Sequence, residues 1–380
     1  MKFMKIGIVL YPTFGGSGVV ATELGKALAA KGHQVHFITY SQPVRLGSFR
    51  ENIFYHEVSV SDYPLFDFQP YEIELTSKMV DVVRNEKLDL LHVHYAIPHA
   101  SAAFMAQMIL RSQGIEIPFI TTLHGTDITL VGKDPSFEPV ITFCINASNA
   151  VTAVSNSLKA ATYEHFNITR PIQVIHNFIV PNNDVNQYVS GFVRSRYATK
   201  DESIICHISN FRKVKRVEDV IRIFDKINKE IPAKLLMVGD GPDRYACEQL
   251  ARKLSISDRI LFLGKLRDTA HVLKIADLFL LPSETESFGL AALEAMAESV
   301  PVISSNTGGL PEVNKQGFSG FLSDVGALDD MAKNALFILQ PDKLSTFKSN
   351  ALAQANLFSL ASILPQYEEI YANLVPNVFV

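Results

Sequence analysis

Cysteine is scarce in this chain: Cys144, Cys206 and Cys247 are the three present, an odd number at wide spacing. That excludes a disulfide framework and any zinc-ligand pattern, and it makes the reducing cytoplasm the expected compartment. No apolar run approaches the length of a membrane span. Met1 to Tyr11 carries two lysines and an apolar run, but Pro12 and a glycine cluster cut it short of a signal peptide. An excess of one charge is lacking as well. The 35 basic and 39 acidic residues leave a net charge of -4, which offers neither nucleic acid nor an anionic membrane a basic surface.

What is present is core-forming material. A chain of 380 residues with 47% hydrophobic content is long enough for two domains, each with its own core, and nothing in it suggests disorder. Both halves alternate strand and helix signals without a close sequence repeat.

In the first half, Lys5 to Leu10 reads as a strand, followed by a glycine loop, a helix from about Gly18 to Lys31 and a strand from Gln34 to Tyr40. Ser17 is placed to cap that helix and Gly32 to stop it. Gly16-Ser17-Gly18-Val19-Val20-Ala21 has dinucleotide-fingerprint spacing, yet it starts several residues past the strand. The next strand ends Thr39-Tyr40-Ser41 without the acidic residue that a ribose needs, which disfavours NAD. The loop either lets a ligand approach the backbone closely or is a tight connection. One or two short strands are expected between Ser41 and Tyr71, one of them within Ile53 to Val60. A helix near Glu72 to Glu86 and strands at Asp89 to His94 and Pro118 to Leu123 follow.

His92 and His94 share one strand face, but no carboxylate or cysteine accompanies them, so they read as packed or cleft histidines and not as metal ligands. Pro118 to Leu123 ends in His124-Gly125-Thr126-Asp127. His124 there either meets a ligand at the sheet edge or closes a turn. Strands at Asn149 to Ser155 and Ile172 to His176 complete the half, and the polar stretch 176–184 puts a boundary near Phe178.

The second half restarts with the strand Ser203 to Ile208. Arg212, Lys213, Lys215 and Arg216 then precede a helix from about Val217 to Asn228. Cations there oppose the helix dipole unless an anion sits among them; a solvated basic turn is the alternative. Strands at Lys234 to Val238 and Arg259 to Leu263 lead into Gly239-Asp240-Gly241-Pro242 and Gly264-Lys265-Leu266. The strand Asp277 to Leu281 joins a helix from Gly289 through a polar turn, so that Phe288, Gly289 and Leu290 offer N–H groups to an anion. Glu294, between Leu293 and Ala295, is costly on a packed face unless something such as a sugar diol satisfies it. Glu294 and Glu298 could instead form a solvated helix face. A strand from Val300 to Ser304, helices through about Leu339 and from Pro341 to Ala355, and an amphipathic helix from Ser359 to Leu374 finish the chain.

Glu286 and Glu294, separated by seven residues and set around Ser287-Phe288-Gly289-Leu290, together with Gly308-Gly309-x-x-Glu312, resemble the retaining glycosyltransferase family 4. The resemblance extends over nearly the full chain. It implies an α/β, GT-B fold: two doubly wound Rossmann-like domains facing across a cleft. Residues 1–178 would form the acceptor domain and 179–358 the nucleotide-sugar donor domain, with the helix 359–380 packing back on the first. It further implies that Glu286 contacts the transferred sugar, Glu294 the ribose and Gly239 with Leu266 the uridine. His124 would lie near the sugar hydroxymethyl group, and the loop at Gly16 would face the diphosphate. Lys215 and an arginine would neutralise the leaving diphosphate, helped by Phe288, Gly289 and Leu290. The family's usual arginine position holds Asn210 here, and Arg212 is the expected substitute.

Tyr11 to Gly18, Leu91 to Ala100, His124 to Thr129 and Ser209 to Arg212 resemble one branch of that family. That implies UDP-N-acetylglucosamine (UDP-GlcNAc) as donor, L-malate as acceptor and a place at the head of bacillithiol biosynthesis, with no cofactor or metal required. Malate brings two carboxylates, and Ser17, Tyr95, Thr126 and Arg45 are the first-domain candidates to meet them. Retention is implied by the family; Asp127 is the rival base for an inverting path. The expected partners are thus two small molecules, with no nucleic acid and no membrane, and a homo-oligomer stays open. Residues 60 to 75, acidic and aromatic, argue against a lipid acceptor. The alternatives are a family 4 enzyme with an inositol phosphate or sugar acceptor and, from other classes, a non-catalytic ligand-binding protein or an NAD-dependent dehydrogenase.

Overall fold

The computed structural model describes residues 3–13, 15–47, 50–59, 70–130, 132, 134–180 and 193–376. Phe14 of the glycine loop, most of the acidic and aromatic stretch at 60–75, the linker beyond residue 180 and the chain end from 377 lie outside the described residues. The chain divides into two compact units, residues 1–177 with 361–380, and residues 178–360.

In the first unit β1 (Lys5–Val9), α1 (Gly16–Ala30), β2 (Gln34–Thr39), β3 (Ile53–Glu57), α2 (Tyr71–Glu86), β4 (Leu90–His94), α3 (Ser101–Ser112), β5 (Phe119–Leu123), α4 (Glu138–Ala147), β6 (Ala150–Ala153), α5 (Asn156–His165) and β7 (Ile172–Val174) alternate. The strands form one parallel sheet in the order β3-β2-β1-β4-β5-β6-β7. Every residue of β4 and β5 is buried, as expected of parallel strands covered on both faces. The order reverses between β1 and β4, which opens a crevice at their carboxyl ends.

Ser17 does not cap α1, which begins at Gly16 with Gly15 at its N-cap and no side-chain cap bond. The chain doubles back tightly there: a Cβ on Gly18 would stand 2.5 Å from the Tyr11 carbonyl oxygen. Ser17 instead turns its hydroxyl to Tyr95.

The second unit repeats the plan with β8 (Ser203–Ile208), α6 (Val217–Glu230), β9 (Ala233–Val238), α7 (Arg244–Lys253), β10 (Ile260–Gly264), α8 (Ala270–Ile275), β11 (Leu278–Leu281), α9 (Leu290–Ala297), β12 (Val302–Ser305), α10 (Leu310–Val313), β13 (Gly320–Ser323), α11 (Leu328–Ile338) and α12 (Pro341–Asn356). Its parallel sheet runs β10-β9-β8-β11-β12-β13, with the reversal between β8 and β11. One face of α6, with Val217, Val220, Ile221, Phe224 and Ile227 all buried, packs into its core.

The strand β13 is a correction to the run of helices expected there. Its four residues hold two large apolar side chains, too weak a local signal. Tertiary contacts decide it: buried Asn314 donates to the Val302 and Phe321 carbonyls, pinning β12 and the β13 segment together.

The last helix, α13 (Leu360–Leu374), returns to the first unit. Ile363, Leu364, Tyr367, Ile370 and Tyr371 are its buried side chains. The Tyr371 hydroxyl lies 2.7 Å from Nδ1 of His92 on β4.

Candidate active site

In the second unit Lys215 and Glu286 come together where the sheet order reverses, between β8 and β11. The loops after β8 and β11 are tied together by the Glu284 N–H, which donates to the Val214 carbonyl at 2.8 Å. Lys215 Nζ stands 2.5 Å from Glu286 Oε1, and buried Ser283 donates its hydroxyl to the same oxygen at 3.1 Å. The backbone of Glu286 is clamped as well: its carbonyl accepts from Gly309 N–H at 2.9 Å. A Cβ on Gly308 would lie 1.9 Å from that carbonyl oxygen. Glu286 is thus oriented on three sides, and its partners Ser283, Gly308 and Gly309 were not read as orienting groups from the sequence.

Of the four basic residues before α6, Arg216 pairs with Asp219 at 2.6 Å, and Glu218 and Asp219 occupy the first helical turn. The dipole conflict expected there is therefore relieved inside the chain. Arg212 is exposed and has no ion pair among the described residues, standing outside the Lys215–Glu286–Ser283 group.

Gly289 opens α9 at φ 98° with no side-chain cap, and a Cβ there would meet Leu310 at 2.6 Å. Phe288 before it is buried edge-on to Phe358 at 5.7 Å, Leu290 is half-buried, and Glu294 is half-buried in the next turn. Glu298 is half-buried too, and burial raises its carboxyl pKa, so this face is not simply solvated. Gly239 uses its N–H on the Gly264 carbonyl at 2.8 Å, and a Cβ on it would lie 1.8 Å from the Ser209 carbonyl oxygen. Its role is therefore close approach of backbone to backbone, with no N–H left for a base. Leu266 is half-buried on the loop after β10.

The first unit has the equivalent arrangement at its own reversal. The Tyr95 hydroxyl, on the loop after β4, donates to Ser17 Oγ in α1 at 2.6 Å. Burial pushes the Tyr95 pKa up to about 12 against the pull of its Ser17 and Thr126 hydrogen bonds. Tyr95 holds φ at 92°, an uncommon conformation for a non-glycine residue and one often met at binding sites. Gly16 is exposed at the start of α1, and Arg45, half-buried after β2, accepts from Lys26 Nζ through its carbonyl at 3.4 Å.

Asp127 is buried, accepting Ala96 N–H at 2.8 Å and Gly125 N–H at 3.0 Å on its two oxygens. Burial raises its pKa to about 6 in spite of those bonds. It joins the loops after β4 and β5 and leaves Thr126 exposed beside it.

His92, His94 and His124 stand in a row with centroids 4.6 and 5.0 Å apart. His94 Nδ1 and His124 Nε2 are 2.7 Å apart, and His99 donates from Nδ1 to the His94 carbonyl. Burial drives the pKa of His92 and His124 down to about 3 and that of His99 to about 4, so the row is neutral. His124 is the partly exposed end of it. Among the described residues no group of three or more His, Cys, Asp and Glu side chains is placed to hold a metal ion. No helix among them is long and apolar enough to cross a membrane.

Comparison with known proteins agrees with this anatomy. Residues 14–183 match the family model described as Glycosyltransferase Family 4, and residues 192–353 that of Glycosyl transferases group 1. The N-acetyl-alpha-D-glucosaminyl L-malate synthase of Bacillus anthracis is 46% identical over 98% of this chain and 97% of its own. An uncharacterized glycosyltransferase of Methanocaldococcus jannaschii is 30% identical over 83% of this chain and 84% of its own. Among solved structures, sucrose-phosphate synthase from Thermosynechococcus elongatus superposes with a TM-score of 0.78 at 21% identity, over 98% of this chain and 99% of that one. Anabaena HepE, solved with UDP and glucose, gives 0.79 at 20% identity, over 97% and 100%. With two Rossmann-like parallel-sheet units of the GT-B type and these matches along its length, the chain belongs to the family 4 glycosyltransferases.

Proposed function

We propose that this chain is a retaining glycosyltransferase that moves N-acetylglucosamine from UDP-GlcNAc to the hydroxyl of L-malate. The observation that carries it is the 46% identity, over 98% of the chain, to the Bacillus anthracis enzyme named for that product.

On this reading the second unit holds the donor. Lys215, exposed Arg212 and the uncapped start of α9 at Phe288, Gly289 and Leu290 meet the diphosphate, where negative charge grows as the sugar–phosphate bond breaks. Glu286 accepts a hydroxyl of the transferred sugar and Glu294 the ribose diol, while Gly239 and Leu266 shape the base site. In the first unit Gly16 lets the diphosphate approach the backbone, and His124 touches the sugar. Ser17, Tyr95, Thr126 and Arg45 serve the malate carboxylates.

The bond from C1 to the UDP oxygen breaks and one from C1 to the malate oxygen forms on the same face. The malate hydroxyl proton passes to the departing phosphate. Asp127 is poorly disposed as an inverting base, since both of its oxygens already accept backbone N–H groups. The scheme calls for no metal.

Mass spectrometry on the purified protein with UDP-GlcNAc, L-malate and a chelator tests donor, acceptor and metal together. A malate-dependent glycoside is expected, and its proton NMR spectrum should show the anomeric coupling of an α linkage. UDP release without a malyl product overturns the acceptor, and a β linkage overturns retention.

A further inference from the structure

We propose that His94 is a positioning residue that fixes the tautomer of His124, so that His124 carries its proton on Nδ1 and offers the transferred sugar a hydrogen-bond donor instead of a base. This rests on the assignment of His124 as a sugar contact; the tautomer itself follows from geometry alone.

The contact between His94 Nδ1 and His124 Nε2, at 2.7 Å, needs one N–H and one lone pair. If His124 donated from Nε2, neutral His94 would carry its own proton on Nε2. That atom is buried without a hydrogen-bond partner, in a side chain with 0% exposure. An orphaned buried N–H loses its hydration with nothing in return. If His94 donates from Nδ1, its Nε2 is a bare lone pair, and unmet acceptors are tolerated better than unmet donors. His124 Nε2 is then the acceptor, and the proton of its neutral ring sits on Nδ1.

A doubly protonated His94 would satisfy the contact too, but it would place a cation in a dry site between two other imidazoles. Burial and the neighbouring His92, His124 and His99 all hold its pKa well below the ordinary value.

The surroundings leave His94 little freedom to exchange roles. Its ring stacks on His92 at 4.6 Å and meets the edge of the His124 ring through the 2.7 Å contact, and its carbonyl is gripped by His99. A carbonyl can only accept, so His99 must be protonated on Nδ1. The N–H vectors of the cluster thus run in one sense, from His99 to the His94 backbone and from the His94 ring to His124.

The direct test is a long-range proton–nitrogen correlation spectrum of the whole protein labelled with 15N-histidine, with His124 assigned from its absence in His124→Gln. Nδ1 protonated and Nε2 unprotonated on His124 is the expected pattern. Protonation at Nε2, or at both nitrogens near neutral pH, overturns the proposal. This result does not depend on which sugar or acceptor is used, so a failed transferase assay and a wrong tautomer are told apart.

The second arm is His94→Phe, which keeps a ring but removes the donor. We expect both His124 tautomers in its spectrum and a loss of about tenfold in kcat/KM for UDP-GlcNAc, the worth of one such hydrogen bond. The Kd for UDP, which lacks the sugar, should stay within about twofold by the same accounting. A His94→Phe protein whose His124 still shows the pure Nδ1–H form overturns the role of His94. Should that variant not fold, the wild-type spectrum decides.

Discussion

Lys215 Nζ and Glu286 Oε1 are 2.5 Å apart although 71 residues separate them, because the reversal of sheet order sets the ends of β8 and β11 side by side. The pair is largely shielded, with side-chain exposures of 20% and 13%. A carboxylate so held cannot swing freely, and its free oxygen is presented in one direction. Glu286→Gln keeps the shape and the Ser283 contact but removes the charge. In the proposed scheme its kcat should fall at least about a hundredfold, while UDP affinity changes less than about threefold, because UDP lacks the sugar that Glu286 meets. Steady-state kinetics alongside UDP calorimetry would show this, and a near wild-type rate would remove Glu286 from the site.

The glycine turn behind Glu286 yields a test of orientation. A Cβ on Gly308 would overlap the Glu286 carbonyl oxygen at 1.9 Å, whereas Gly317, also at positive φ, has nothing within 4 Å. Gly317→Ala should therefore show only the backbone term, about 1–2 kcal/mol. Gly308→Ala adds a backbone clash and should cost about 3 kcal/mol or more and depress the transfer rate. Urea midpoints of the two variants make the comparison; equal losses would mean that the clash is relieved elsewhere.

These two cases also show what the sequence could carry. The Glu286 and Glu294 spacing, the glycine loops and the apolar strands are local patterns, and they led to the α/β fold, the family and the loops at the carboxyl edges. What decides the use of a side chain is often remote. Ser17 looked like a helix cap because its neighbours are all that a local pattern contains, yet its hydroxyl serves Tyr95, 78 residues away. The basic run before α6 did not show that Lys215 is the cation that the sheet brings to Glu286, 71 positions away. The short strand β13 was illegible for the same reason, since Asn314 and β12 fix it from outside.

Acid should unfold the first unit before the second. Its His36, His92, His94, His99 and His124 are all held neutral, with pKa values pushed by burial to about 4, about 3, well below normal, about 4 and about 3. Unfolded, each would titrate near 6.5. The stability they contribute is full above pH 6.5 and is lost as pH falls toward 4, because the unfolded chain then binds the extra protons. For His36 or His99 alone that amounts to about 3 kcal/mol. Asp127, raised to about 6, works in the opposite sense by favouring the folded state at low pH, but it is one group against these five and against His33 and His56, which burial lowers as well. In the second unit His207 is the comparable case, at about 4. Hydrogen exchange corrected for intrinsic rates, at pH 5 and 7.5, should show protection lost first in residues 1–177; earlier opening of residues 178–360 would contradict it.

The helix α13 should be essential to the first unit although it comes last in the chain. The Tyr371 hydroxyl bonds His92 Nδ1 at 2.7 Å, while His92 Nε2 meets Thr122 Oγ1 at 2.7 Å. Tyr371→Phe leaves a buried ring nitrogen without a partner and should destabilise the first unit by about 1–3 kcal/mol. Removing everything after Leu360 is far more severe. It strips away Ile363, Leu364, Tyr367, Ile370 and Tyr371, all buried. At about 1.5–3 kcal/mol for each such side chain, the loss rivals the whole stability of an ordinary domain. The truncated chain should therefore show exchange protection over residues 178–360 and none over 1–177. Retained protection in β4 and β5 would mean that the first unit's core closes without the helix, and that His92 finds another partner for Nδ1.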